Sequence, residues 1–173
     1  MKNATRLAWI PLVLAACAGH SPYAGEEARG LKALTASEIE GYREGRGLGL
    51  AKPAELNGYP GPMHVLEMAD RLELTPEQRT RTQALLDRHK SEARALGADY
   101  LSAEASLEAL FASGRADAAS VDAATARAAS LQARVRASHL RTHLEQAALL
   151  TPAQVARYNA LRGYALPAAT RGG

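Results

Sequence analysis

The chain has one cysteine, one phenylalanine and one tryptophan in 173 residues, and each scarcity excludes something. With Cys17 as the only thiol, no disulfide, thiolate zinc cluster or cysteine nucleophile is available within one subunit. Aromatic residues are 5% of the whole, so a core must be built from Ala and Leu, giving helices that pack closely in a thin layer. No basic stripe interleaved with aromatics is present, which argues against nucleic acid as a partner. Gly45, Gly47 and Gly49 are spaced like a phosphate-binding loop, but no β-branched strand precedes them and the basic ending is missing. There is no nucleophile-elbow motif either, and the reading is that the protein is not an enzyme. Beyond the N-terminus, no segment is long and apolar enough to cross a membrane.

The N-terminus itself is patterned. Lys2 and Arg6 precede an apolar run from Leu7 to Ala16, too short to span a bilayer but suited to the hydrophobic region of an export signal. The run ends in Leu14, Ala15, Ala16 and Cys17, which resembles the lipobox of bacterial lipoproteins. That resemblance implies acylation of Cys17, a membrane anchor, periplasmic location and, with Ala18 next, the outer membrane. The competing reading is an A-x-A cleavage site beside an incidental cysteine. Removing residues 1–16 takes two of the 21 basic residues and none of the 18 acidic ones, leaving a net charge of +1.

Residues 17–61 are rich in Gly, Pro, Ala and charge, and are expected to be a tether and irregular arm. A short helix over residues 36–46, capped by Ser37, would interrupt it, and Tyr42, Leu48, Leu50, Leu56 and Tyr59 offer apolar groups for folding back. A helical domain is expected over residues 62–163, followed by a tail at 164–173. Pro62 suits a first helical turn, with Val65, Leu66, Ala69 and Leu72 as its apolar face. LTPEQ at 74–78 then offers a Thr75 cap, Pro76 in the first turn and Gln78 at the capping-box position. The device returns as LTPAQ at 150–154, with Leu150, Thr151 and Gln154, 76 residues later.

Between these starts run two long amphipathic stretches. Thr82, Leu85, His89, Ala93, Leu96, Tyr100, Ala103, Leu107 and Leu110 form one stripe on a helix of roughly 35 residues, about 50 Å long. Ser113, Gly114 and Arg115 break it. Asp117 or Ser120 caps the next helix, whose stripe is Val121, Ala124, Ala128, Leu131 and Val135 and then shifts to Leu140, Leu144 and Ala147. So short a break makes an antiparallel hairpin, and its uncovered apolar surface predicts a homodimer or a larger assembly.

The paired LTxxQ motifs on long helices resemble the periplasmic Spy/CpxP family and its metal-sensing relatives of the CnrX and ZraP kind, over about residues 62–163. The resemblance implies an all-α, cradle-like dimer acting either as an ATP-independent chaperone for unfolded clients or as a transition-metal sensor with an inner-membrane signalling partner. It also implies that a four-spaced pair on the second long helix supplies ligands. His139 and His143 of HLRTH match that placement, whereas upstream only His64 with Met68 approximates a second pair. HLRTH is not a protease motif, since Leu140 stands where HExxH has its glutamate.

Side chains four apart lie one turn along the same helix face, so His139 and His143 can share an ion. Two ligands are too few. Folding the hairpin about Gly114 sets His139 opposite His89 and joins the two LTxxQ caps at the open end. His89 sits in an apolar stripe, where an uncharged, hydrogen-bonded imidazole is the plain explanation. The expected site is therefore His139 and His143 with His89, or with His64 and Glu67, holding Zn, Ni, Co or Cu through neutral imidazole whose affinity drops below about pH 6.5. A metal-responsive sensor is the leading reading, a Spy-like chaperone the second and a structural lipoprotein the third.

Overall fold

The computed structural model describes residues 21–164; the expected export signal over residues 1–16, Cys17 and the tail beyond residue 164 lie outside the described residues. Six helices and no strand are found among them: α1 (Ala36–Glu44), α2 (Lys52–Glu55), α3 (Pro62–Glu67), α4 (Pro76–Ala112), α5 (Ala118–Leu149) and α6 (Pro152–Arg162). None is long and apolar enough to cross a membrane.

The local devices read from the sequence set the frame. Thr75 and Thr151 each accept from the backbone N–H of the Gln three residues on, and each Gln side chain returns a bond to the cap. With Pro76 and Pro152 in the first turn, both starts are fixed by chemistry within five residues. At the other end α4 stops at Ser113, Gly114 takes a left-handed φ of 67°, and Asp117 caps α5 in a box with Ser120. The antiparallel α4–α5 hairpin follows.

Two apolar clusters hold it. One, in the half of the hairpin toward the turn, joins Leu96, Tyr100, Ala103, Ala128, Leu131 and Val135 to Leu34 and Tyr42 of the N-terminal segment. The other, at the open end, joins Val65, Ala69, Leu72, Leu74, Leu150 and Tyr158. Between them the hairpin interior is mixed: Leu85 and Ala93 are buried beside a polar set, Thr82, His89, Ser138, His139, Thr142 and Gln146. This corrects the expected course of α5. Its inward face continues through Ser138, His139, Thr142 and Gln146, while Leu140 is half-buried and Leu144 is 54% exposed. The apolar side chains point outward and a polar belt points inward.

The arm also departs from expectation. Its helix α1 is capped by Thr35, not Ser37, because Thr35 bonds Glu38 reciprocally in a capping box. Tyr42 is buried edge-on against Tyr100, ring centroids 4.7 Å apart. Gly97 permits this approach, since a Cβ there would lie 2.2 Å from the Tyr42 carbonyl oxygen. The arm from Leu31 to residue 61 is thus part of the packed structure and carries α2 across to α5, while nearly all of residues 21–30 is exposed.

Candidate metal centre

Docking of the arm closes a cavity of about 520 Å³ between the 44–52 loop, α2, the start of α3, and the two long helices. His64, His89, His139 and His143 all line it, together with Glu55, a residue the sequence reading passed over. The three-glycine loop supplies its mouth, with Gly45, Leu48 and Gly49 in left-handed conformations. That backbone role accounts for glycines that had only superficially resembled a phosphate loop.

The hairpin register inferred about Gly114 is what the structure has. His89 Nε2 and His139 Nδ1 lie 3.0 Å apart, with the rings edge to face. Ser138 Oγ stands 3.5 Å from His89 Nδ1. His139 is 5% exposed, and its Nε2 is buried with no hydrogen-bond partner. If His139 Nδ1–H donates to His89, that Nε2 carries a bare lone pair. The opposite assignment would strand a buried N–H, the costlier outcome. Burial, then the neighbouring His89 and His143, push the His139 imidazole down to about 4, and burial lowers His89 too. Both rings are therefore uncharged at neutral pH. For His139 the proton competition expected near pH 6.5 is moved well below it.

His143 faces the same cavity from the next turn. Its Nδ1–H donates to the Tyr59 carbonyl at 2.7 Å, so the neutral ring presents its lone pair at Nε2. Gly61 leaves the room: a Cβ there would stand 3.2 Å from His143 Nε2 and 3.0 Å from Cε1. Glu55 lies alongside, its Oε2 3.7 Å from His143 Nδ1, buried and without a hydrogen-bond partner. The other oxygen, Oε1, accepts from Tyr158 at 2.5 Å and Tyr164 at 3.0 Å and faces Arg162 at 3.4 Å.

The α3 ligands are only partly placed as expected. His64 reaches the cavity wall, but its Nδ1 is 2.9 Å from Glu67 Oε2 on the outside, and Glu67 does not line the cavity. Met68 packs into the open-end apolar cluster, while Met63 is at the cavity. One helical turn separates inside from outside, and residues 67 and 68 fall on the wrong side of it.

Among the described residues, no three His, Cys, Asp or Glu side chains stand together at ligand distance. The candidate donors share the walls of one cavity instead of a common centre. Their chemistry nevertheless fits a divalent transition metal: imidazole nitrogens plus one carboxylate oxygen, two of these donor atoms buried without any other partner. Glu55 carried no pattern in the sequence that would have marked it, since its neighbours read as an irregular arm.

No curated protein and no solved structure matches this chain. Residues 43–157, spanning the cavity-lining residues and both LTxxQ starts, match the family model described as heavy-metal resistance, which covers LTxxQ-type periplasmic proteins of the CnrX, ZraP and Spy kind. The chain belongs to the heavy-metal resistance family.

Proposed function

We propose that this protein is a periplasmic, lipid-anchored sensor or buffer of divalent transition-metal ions. The carrying observation is that His139 and Glu55, each with one buried donor atom that has no hydrogen-bond partner (Nε2 and Oε2), line a cavity that His143, His89 and His64 also line. A buried polar atom without a partner costs about 1–3 kcal/mol, so a fold that keeps two at one cavity favours a ligand that satisfies them. In this reading His139, His143 and Glu55 hold the ion, and His89 or His64 completes the set. The bound ion supplies Lewis-acid attraction for these donors, and the protein's part is recognition, not catalysis. Zn, Ni, Co and Cu all accept imidazole and carboxylate ligands.

The donors come from separate elements, Glu55 from α2, His64 from α3 and the other histidines from α4 and α5. An ion held by all of them would tie α2 and α3 to the hairpin and so favour the docked arm. The anchor at Cys17 and a homodimer, with exposed Leu144 on its surface, complete the proposal. Cobalt(II) titration of the mature protein tests it through the visible absorption of the bound ion. The reading expects a saturable signal that His139→Ala/His143→Ala abolishes; an equal signal in the variant contradicts it.

A further inference from the structure

The carboxylate of Glu55 belongs to two sites at once. Its Oε2 lies 3.7 Å from His143 Nδ1 at the cavity wall, while its Oε1 is the meeting point of three groups from the C-terminal end of the described chain. Tyr158 and Tyr164 donate their hydroxyls to it, from 103 and 109 residues away in sequence. Arg162 lies 3.4 Å from the same oxygen and also donates to the Tyr164 hydroxyl through Nε and Nη2, at 3.2 and 3.0 Å. These contacts join α2 directly to α6 and the turn after it.

Nothing in packing demands this arrangement. Tyr158 is fully buried in the open-end apolar cluster, where a phenylalanine ring would fill the same space. Its hydroxyl bonds a carboxylate that reaches in from a different element. Two phenolic donors and one guanidinium on one oxygen hold the carboxyl plane still and leave the second oxygen turned toward His143. Arg162 also offsets the carboxylate's charge at a site where Glu55 is largely removed from water.

We propose that Tyr158, Tyr164 and Arg162 are positioning residues that hold Glu55 as a ligand for the cavity's metal ion, and that ion occupancy is thereby coupled to the docking of the C-terminal end, residues 158–164. The inference rests on the metal-binding reading above. Coupling of this kind is reciprocal: if a docked C-terminal end orients Glu55, an ion on Glu55 must tighten that end by the same free energy. The last turn of α6 and its Gly163 cap are then where occupancy of the cavity is displayed to a partner.

Two readouts on the full chain test it, with cobalt(II) or zinc as the probe. The first is ion affinity in Tyr158→Phe and Tyr164→Phe, which keep the rings and remove the hydroxyls. Loss of such outer contacts weakens metal binding by about 10–100-fold. The inference expects a drop in that range with an altered cobalt spectrum, larger in the double variant, at unchanged helicity. The second is amide exchange at residues 160–164, expected to slow when the ion is added to the parent and not in Glu55→Gln. Parent-like affinity in both Tyr variants, or exchange at 160–164 indifferent to the ion, overturns the inference and leaves the metal site standing. A parent that binds no ion overturns the metal reading, and this inference falls with it.

Discussion

The side-chain amides of Gln78 and Gln154 bond each other reciprocally, Nε2 to Oε1, at 2.8 and 3.0 Å. Each oxygen also accepts from the backbone N–H of its own Thr, 75 or 151, and each nitrogen also donates to a carbonyl, of Leu149 or of Leu72. The two LTxxQ motifs are thus one clasp. Each supplies a helix cap, and together they close the open end of the hairpin between α4 and α6.

The clasp predicts strong coupling. Gln78→Ala leaves partly buried partners on Gln154 and Leu149 unsatisfied and should cost about 1–3 kcal/mol. Adding Gln154→Ala should cost clearly less than its single effect, since the pair bond is already gone. Urea midpoints of the two single variants and the double variant measure this, and strict additivity would show the amide pair to be incidental. Thr75→Ala with Thr151→Ala should lose about 1 kcal/mol per cap at nearly unchanged helicity.

Arm docking hangs on one missing side chain. Because a Cβ on Gly97 would meet the Tyr42 carbonyl at 2.2 Å, Gly97→Ala should push α1 off α4 even though alanine is the better helix former. Amide exchange should quicken over residues 36–45 while α4 and α5 stay protected. If α1 remains protected, backbone adjustment absorbs the methyl group and the close approach is not needed.

Acid should weaken the metal-free protein through its buried histidines. An unfolded histidine takes a proton near 6.5, whereas folded His139 resists it down to about 4. Between those values the unfolded chain holds more protons, so stability rises with pH across the window and falls on acidification. The loss from His139 amounts to roughly 3 kcal/mol by pH 4, and His89 is shifted the same way. Denaturant midpoints at pH 7 and 4.5, in chelator, should differ less in His139→Asn than in the parent. Identical pH slopes would contradict the neutral, buried imidazole.

Much of the fold was legible because it is written in local chemistry. Thr75, Pro76 and Gln78, with their copies at 151, 152 and 154, mark helix starts, and Gly114 marks the fold of the hairpin, from which the His89–His139 contact follows by counting. What was not legible depends on tertiary approach. Leu140 and Leu144 look like core on any helical wheel, yet Ser138, Thr142 and Gln146 are buried instead, since Ser138 and Gln146 face His89 and Thr82 of α4 and Thr142 lines the cavity. Glu55 was invisible for the same reason: its role exists only once a glycine-rich arm has folded over the hairpin and met two tyrosines from the far end of the chain.

The central claim is that the cavity binds a divalent transition metal through ligands from separate elements, and thermal melting of the mature protein tests it most directly. An ion that binds only the folded state stabilises by RT ln(1 + [L]/Kd), about 2.7 kcal/mol at a hundredfold excess over Kd. The account predicts that at least one of zinc, nickel, cobalt and copper raises the melting temperature of the parent by several degrees. It predicts that His139→Ala/His143→Ala loses the rise and that Glu55→Gln loses most of it. No shift in the parent with any of the four ions, or an equal shift in the histidine variant, would contradict it.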